Sequence, residues 1–415
     1  MFYICIHVLH EPSAIGERHR ESSRTAQHAA RITRTREHST THNMGACLSS
    51  APTAQSSPTA KPVPFEDLSE EAKQLKTELE NAGGIDAPDE KFETPLMRAL
   101  SDKDNARVRM LLDIGANPSC IIQRLHPSIH PDTIPSGTKL GSGYQQNGPP
   151  PLAFALNDPE AVRMLLDAGA DPNWTHEFTF DDEKESWGRG ENLFHLLAKN
   201  RAGFNPEVAS MLWDRMKKPK AFLNAFVKAT IQSFSFKCTP LKTACMYRDS
   251  KAVEWMLDHG ADVNHLPDAD NLFGYTTALD NSVVSKVQLA SWYYSYWECG
   301  EQPPDIDMKD TKCLELLIKK GVDVNRRSEY YGRTATMYAA AIGNAPALRL
   351  LLDNGADVNV SIDDEDEEDY WPSLGLQQPA NYVPPTQYTA VQMAADAGHE
   401  ECVKMLIAKG AKYTP

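Results

Sequence analysis

One phrase recurs along this 415-residue chain. It reads RMLLDIGANP at 109–118, RMLLDAGADP at 163–172, EWMLDHGADVN at 254–264, ELLIKKGVDVN at 315–325, RLLLDNGADVN at 349–359 and KMLIAKGAKYT at 404–414. Upstream of each stands a second, looser phrase: TPLMRAL at 94, PPLAFAL at 150, TPLKTAC at 239, TTALDNS at 276, TATMYAA at 334 and TAVQMAA at 389. A unit this short cannot bury an apolar face by itself, so copies must stack and share a core. The chain is therefore an array, and its length does not count separate globular domains.

Each part of the unit has a physical reason. Thr94, Thr239, Thr334 and Thr389 stand where a side-chain oxygen caps a first helix, and Pro95 and Pro240 suit its first turn. The Leu-Leu pairs give a second helix an apolar stripe. Gly115, Gly169, Gly260, Gly321, Gly355 and Gly410 follow that stripe, where a helix ends in a left-handed residue, and Asp and Asn then turn the chain. The apolar position of the first helix precedes that of the second by a fixed step in four units: Leu96 to Val108, Leu241 to Val253, Thr336 to Leu348 and Val391 to Val403. The step is shorter from Leu152 to Val162. In the fifth unit, counted from Ala278 to Leu314, it carries a long insert. A divergent unit at 191–216 (ENLFHLLAKN, then EVASMLWDRM) runs from Leu193 to Val208 and has Arg215 at the glycine position.

These phrases resemble the ankyrin repeat, whose period is 33 residues and whose first helix opens T-P-L-H-x-A. The resemblance implies an all-α ankyrin-repeat solenoid of about seven helix-turn-helix units over 91–415, with finger loops and long insertions. Leu68, Ala72, Leu75 and Leu79 fall on one helical stripe, and LKTELENAGG at 75–84 resembles the second helix of a truncated capping unit, assigned to 65–90. The family's usual role implies a non-enzymatic scaffold or adaptor that binds protein partners. The alternatives are a targeting or regulatory subunit of an enzyme complex and a free cytosolic or nuclear ankyrin protein. The regular fifth finger, RRSEYYGRT, places Arg326, Arg327, Tyr330 and Tyr331 where the family commonly contacts partners.

The departures from the period are candidate recognition loops, since insertions in a solenoid map to loops. The insert inside the fifth unit carries SWYYSYWECG, with Trp292, Tyr293, Tyr294, Tyr296 and Trp297. Aromatic anchors dominate binding hot spots, so the cluster is a partner site; the competing reading is a satellite core folded onto its own unit. The sixth finger holds an acidic run, Asp363 to Asp369, then Tyr370 and Trp371. It suits a basic peptide, or is a solvated, self-repelling loop.

The N-terminal region differs in composition. Residues 1–43 hold six Arg and four Glu, lack periodicity and read as a disordered leader. At Met44 the chain reads MGACLSSAP. Translation from that Met would expose Gly45 for N-myristoylation, with Ser49 in the hydroxyl position. One myristoyl chain binds membranes marginally, and 45–64 has a single basic residue, Lys61, so a second acyl chain on Cys47 is the remaining anchor. Residues 44–64 then form a flexible tether to the inner face of a membrane.

The charge bounds the partners. With 42 basic and 57 acidic residues the chain carries −15, which argues against nucleic acid as a ligand. No CxxC pair stands among the eight Cys, which suits a reducing cytoplasm. SGTKLGSG at 136–143 lacks the P-loop order, and Cys238 and Cys245 read as packing residues. No cofactor, metal site or catalytic set is expected, and the chain is expected to be monomeric.

Overall fold

The computed structural model describes residues 47–48, 61–89, 93–125, 145–176, 191–200, 202–231, 234–264, 277–283, 310–328, 332–362 and 388–413. Among these residues a single helix, α1 (Glu70–Asn81), precedes seven helix pairs. These are α2 (Pro95–Ser101) with α3 (Asn105–Asp113), α4 (Pro151–Ala155) with α5 (Pro159–Asp167), and α6 (Leu193–Ala198) with α7 (Pro206–Arg215). A short helix, α8 (Pro219–Leu223), follows the third pair. Then come α9 (Pro240–Met246) with α10 (Ser250–Asp258), α11 (Ala278–Val283) with α12 (Lys312–Lys319), α13 (Ala335–Ala341) with α14 (Ala345–Asp353), and α15 (Ala390–Asp396) with α16 (Glu400–Ala408). First helices pack in one row, with α9 on α11, α11 on α13 and α13 on α15. Second helices pack in another, with α3 on α5, α5 on α7 and α10 on α12. This is an all-α solenoid, and its core runs the length of the stack.

Local chemistry places the helix ends. Thr94, Thr239, Thr334 and Thr389 each accept a hydrogen bond from the backbone three residues on, at 3.1–3.4 Å. Asp104, Asp158, Asp249 and Asn344 do the same for the second helices. The glycine after every second helix except that of the third unit is left-handed: φ is +101° at Gly115 and +87° at Gly355. The register residues Leu96, Val108, Leu152, Val162, Leu193, Val208, Val253, Thr336 and Leu348 are all fully buried. At the N-terminal end α1 packs on α3, burying Leu68 and Ala72 and half-burying Leu75 and Leu79.

A hydrogen-bonded ladder ties one unit to the next. In GADVN the Asp carboxylate accepts from the Asn amide two residues on, which fixes an Asx turn at 262–264, 323–325 and 357–359. The Asn side chain then reaches across the junction. Asn325 donates to Gly355 O at 3.1 Å and accepts from Asp357 N at 2.7 Å. Asn264 makes the same pair with Gly321 and Asp323, and Asn359 with Gly410 and Lys412. The three junctions nearest the N-terminus use only the accepting half: Asp86 takes Asn117 N, Ser119 takes Asp171 N and Asn173 takes Lys217 N.

The divergent third unit keeps the ladder by another route. Arg215, at the glycine position, turns its guanidinium back onto Leu166 O and the Asp167 carboxylate of the preceding unit. The chain then adds α8, and Asn224 after it donates to Gly260 O and accepts from Asp262 N at 2.8 Å. Much of what counts as finger insertion after this unit is therefore an extra helix that restores the clamp.

The fingers are rooted in antiparallel strand pairs: β2 (Ile121–Leu125) with β3 (Gln145–Asn147), β4 (Thr175–His176) with β5 (Glu191–Asn192), β6 (Val227–Ile231) with β7 (Phe234–Cys238), and β8 (Ser361–Ile362) with β9 (Tyr388–Thr389). A further strand, β1 (Cys47–Leu48), pairs with β2, Cys47 opposite Ile122. The fifth finger closes with a single bridge, Arg327 to Thr334.

The register of the fifth unit needs one correction. Counting from Thr276 makes Ala278 the apolar position, but Thr277 is the cap: its hydroxyl accepts from Asp280 N at 3.1 Å, and the buried residue is Leu279. The unit starts one residue later than the sequence pattern predicts. Cys120 is disulfide-bonded, which the absence of a CxxC pair does not foretell, whereas Cys238, Cys245, Cys313 and Cys402 are free. Trp174, at the start of the second finger, is buried in the core. No helix among the described residues is long and apolar enough to cross a membrane.

The ladder makes a quantitative prediction. Asn325→Ala strands two backbone partners and lowers unfolding free energy by about 1–3 kcal/mol in urea titration. Lys320→Ala, which removes an exposed ion pair with Asp258, changes it by less than about 1 kcal/mol.

Candidate protein-interaction surface

The finger roots and the first-helix row form one side of the array. Each first helix starts within a residue or two of its finger, so the ladder that spaces the units also spaces the fingers. Arg326 and Arg327 leave the fifth Asx turn here: Arg326 is half-buried, its amide donating to Asp323 O, and Arg327 is exposed at the bridge. Cys47 joins the first finger through β1. Gly45, Trp292, Tyr293, Tyr294, Tyr296, Trp297, Tyr330, Tyr331, Tyr370 and Trp371 lie outside the described residues, as do 136–143 and the acidic run at 363–369.

Beneath the fingers runs a polar row that the sequence reading did not single out. It occupies the third position after each capping residue: His195, Lys242 and Asp280 on α6, α9 and α11. His195 completes a capping box, with Nδ1 at 3.4 Å from the Asn192 amide, and its Nε2 lies 3.0 Å from Cys238 O. Asp280 closes a second box, its Oδ2 accepting from Thr277 N at 2.7 Å. The other oxygen, Oδ1, is buried without a hydrogen bond. Next along, Tyr338 on α13 takes hydrogen bonds from Ser328 and Arg333, and the Arg333 guanidinium stands 6.0 Å from its ring centroid. The signal that would have found this row is the T-x-x-D and N-x-x-H spacing itself.

Burial sets the charges of the row. Desolvation pushes Asp280 up to about 7, against the Thr277 hydrogen bonds and the nearby Lys242. The same cause lowers Lys242, with Asp280 opposing it, and takes His195 down to about 4. Burial also raises the Cys238, Cys245 and Cys313 thiols, which suits packing rather than nucleophilic use. Cys238 Sγ lies 3.2 Å from the Thr243 hydroxyl. Among the described residues no group of His, Cys, Asp and Glu has the geometry to hold a metal.

The repeated helix pair, its capping residues and its left-handed glycine match a known family model. The model for ankyrin repeats in three copies matches 151–267 and 307–415, more than half of the chain. The chain belongs to the ankyrin repeat family. Over 167 residues it is 31% identical to ankyrin repeat protein nuc-2 of Neurospora crassa, covering 40% of this chain and 11% of that one. It is 37% identical over 131 residues to the nuclear factor NF-kappa-B p105 subunit of Gallus gallus, covering 29% and 13%. A 60-residue stretch is 47% identical to putative ankyrin repeat protein FPV244 of fowlpox virus, covering 14% of this chain and 9% of that one. The chain thus spans only about a tenth of these relatives' lengths. The helix pair α2–α3 lies outside the family match yet has the same caps, left-handed glycine and packing. Ankyrin repeats mediate protein–protein interaction, and that coarse role applies here.

The polar row makes a prediction whose sign can be worked out. Folded Asp280 holds its proton between about pH 4 and pH 7, where the unfolded chain has lost it, so wild-type stability falls as pH rises through that window. Asp280→Asn removes this loss while keeping the acceptor for Thr277. Relative to wild type the variant gains with rising pH, by up to about 4 kcal/mol above pH 7, in urea titrations from pH 4.5 to 8. His195 acts with the opposite slope: folded, it stays neutral while the unfolded chain protonates below pH 6.5, so its share of stability is lost as pH falls toward about 4. His195→Gln flattens that arm alone.

Proposed function

We propose that this chain is a non-enzymatic scaffold that receives protein partners on its finger and first-helix face. The observation that carries the reading is the unbroken ladder from Asp86 to Lys412, which holds the finger roots at fixed intervals. Rigid elements that present variable loops are the usual arrangement of a recognition surface. Exposed Arg327 and half-buried Arg326 provide the cations of the regular finger, and the insert aromatics Trp292, Tyr293, Tyr294, Tyr296 and Trp297, with Tyr330, Tyr331, Tyr370 and Trp371, supply anchors. The finer reading adds a location: the cytoplasm, at the inner face of a membrane, through myristate on Gly45 and palmitate on Cys47. The pattern M-G-x-x-x-S at Met44 supports it, as does the lack of any polybasic second signal.

Proximity labelling from the full chain tests the scaffold role. Arg326→Glu with Arg327→Glu removes a defined subset of labelled proteins, while melting temperature stays within a few degrees of wild type. Labelling unchanged by this variant and by deletion of 284–309 counts against the finger face.

The location is tested separately. A chain translated from Met44 incorporates a myristate analogue and a palmitate analogue, and Gly45→Ala abolishes both the label and membrane recovery.

A further inference from the structure

Two rows of ion pairs lace most of the second helices together. Among the described residues neither row has a pair at two junctions: α7–α10, where Trp213 packs edge to face on Trp255 and Trp255 donates to the Ser210 hydroxyl instead, and α12–α14, where no such contact replaces them. In the first row a residue on one helix meets a residue near the start of the next: Arg109 with Glu160, Arg163 with Glu207, and Arg349 with Glu401, at 3.3–3.5 Å. In the second row the helix end meets the next helix end: Arg215 with Asp167, Lys320 with Asp258, and Lys409 with Asp353, at 2.6–3.0 Å. Between α12 and α14 the corresponding positions are Glu315 opposite Pro346 and Lys319 opposite Asn354. Neither combination can make an ion pair. The helices part accordingly: α12 and α14 barely touch, whereas α10 packs on α12 and α14 packs on α16.

A groove of about 720 Å³ occupies the gap. Ile342 and Leu350, both half-buried, give it an apolar floor. Glu315, Asp353 and Glu401 stand on its rim with one cation, Arg349. Asp353 and Glu401 already have partners in Lys409 and Arg349. Glu315 is exposed and accepts a hydrogen bond at 2.7 Å from the Thr311 hydroxyl, and among the described residues no ion pair joins it to a neighbouring unit. The site therefore carries an unpaired acid where α3, α5 and α14 carry a paired Arg, beside apolar surface that the missing helix contact leaves open.

We propose that this groove docks a segment of a partner protein in which a Lys or Arg lies beside apolar side chains. The cation takes the place of the absent rung on Glu315, and the apolar side chains cover Ile342 and Leu350. This surface belongs to the second-helix row, separate from the fingers, so the two can succeed or fail independently. The position of Pro346 makes the inference specific: a Lys there would supply the rung from within the chain and fill the mouth of the groove.

The test uses the full chain and a fluorescein-labelled helical peptide with Leu on one face and Lys on the flanks, read by anisotropy. Saturable binding is expected, weakened about tenfold by Glu315→Lys and by Pro346→Lys, the loss of one desolvated ion pair. Leu350→Asp is expected to weaken it as much, with helical content and melting temperature retained in every variant. Glu254→Lys makes the same charge change one unit earlier, outside the groove, and should leave binding within about twofold. Equal weakening by Glu254→Lys would show attraction to the acidic chain as a whole and overturn the proposal. So would the absence of saturable binding. Binding that appears only after deletion of 284–309 would assign the groove to this chain's own segment and likewise overturn it.

Discussion

The Asn side chain that leaves each Asx turn is the contact on which the rest of the array depends. Helix pairs joined only by apolar burial could slide, since the hydrophobic effect has no direction. A side chain that donates to one backbone carbonyl and accepts from an amide two residues on permits one register. The aspartate two residues earlier fixes the turn that aims it. Each junction gains about 1 kcal/mol net per bond, small beside the burial of Leu and Val, but the bonds decide where the burial occurs. The third unit shows how strictly this holds. It loses the glycine, and the chain spends a whole additional helix to bring Asn224 to the place where Asn264 and Asn325 stand in regular units.

From that constraint the functional organisation follows. Because the turns are clamped, the fingers are pinned at their roots whatever their length, and long insertions leave the stack intact. The same clamping leaves the second-helix row to be joined by surface ion pairs, which are weak and can be omitted at a junction without loss of the fold. At α12 and α14 they are omitted, and a groove results. The buried row of His195, Lys242 and Asp280 has a different character. Capping boxes satisfy much of its polarity, yet Asp280 keeps one oxygen unbonded and holds its proton until the pH reaches about 7. Its pH dependence thus reports on packing between consecutive first helices.

Much of this was legible before any coordinates. The capping threonines, the glycines and the twelve-residue step each rest on a local rule, and each recurs often enough to be checked against its copies. Four things were less legible. At TTALDNS two adjacent threonines compete for the cap, and only the reciprocal bonds between Thr277 and Asp280 decide it. The groove was invisible because it arises from what Glu315 and Pro346 fail to do across a junction, which a single unit does not display. Most of the proposed contact residues lie in insertions, where no second copy exists to test a reading. The helix α8 belongs here too: its sequence is unlike any other part of the repeat, and its purpose appears only in the contact it enables.

The Asn clamp operates at every regular junction. Amide hydrogen exchange measured by NMR tests it directly, because the acceptor bonds fall on residues that are themselves exposed. Asp262, Asp323, Asp357 and Lys412 all lie at the surface, and each donates its backbone N–H to an Asn of the preceding unit. If the clamp is formed, these four amides exchange far more slowly than exposed turn amides, with protection near that of the helix interiors. Exchange at the rate of unprotected surface amides would contradict it.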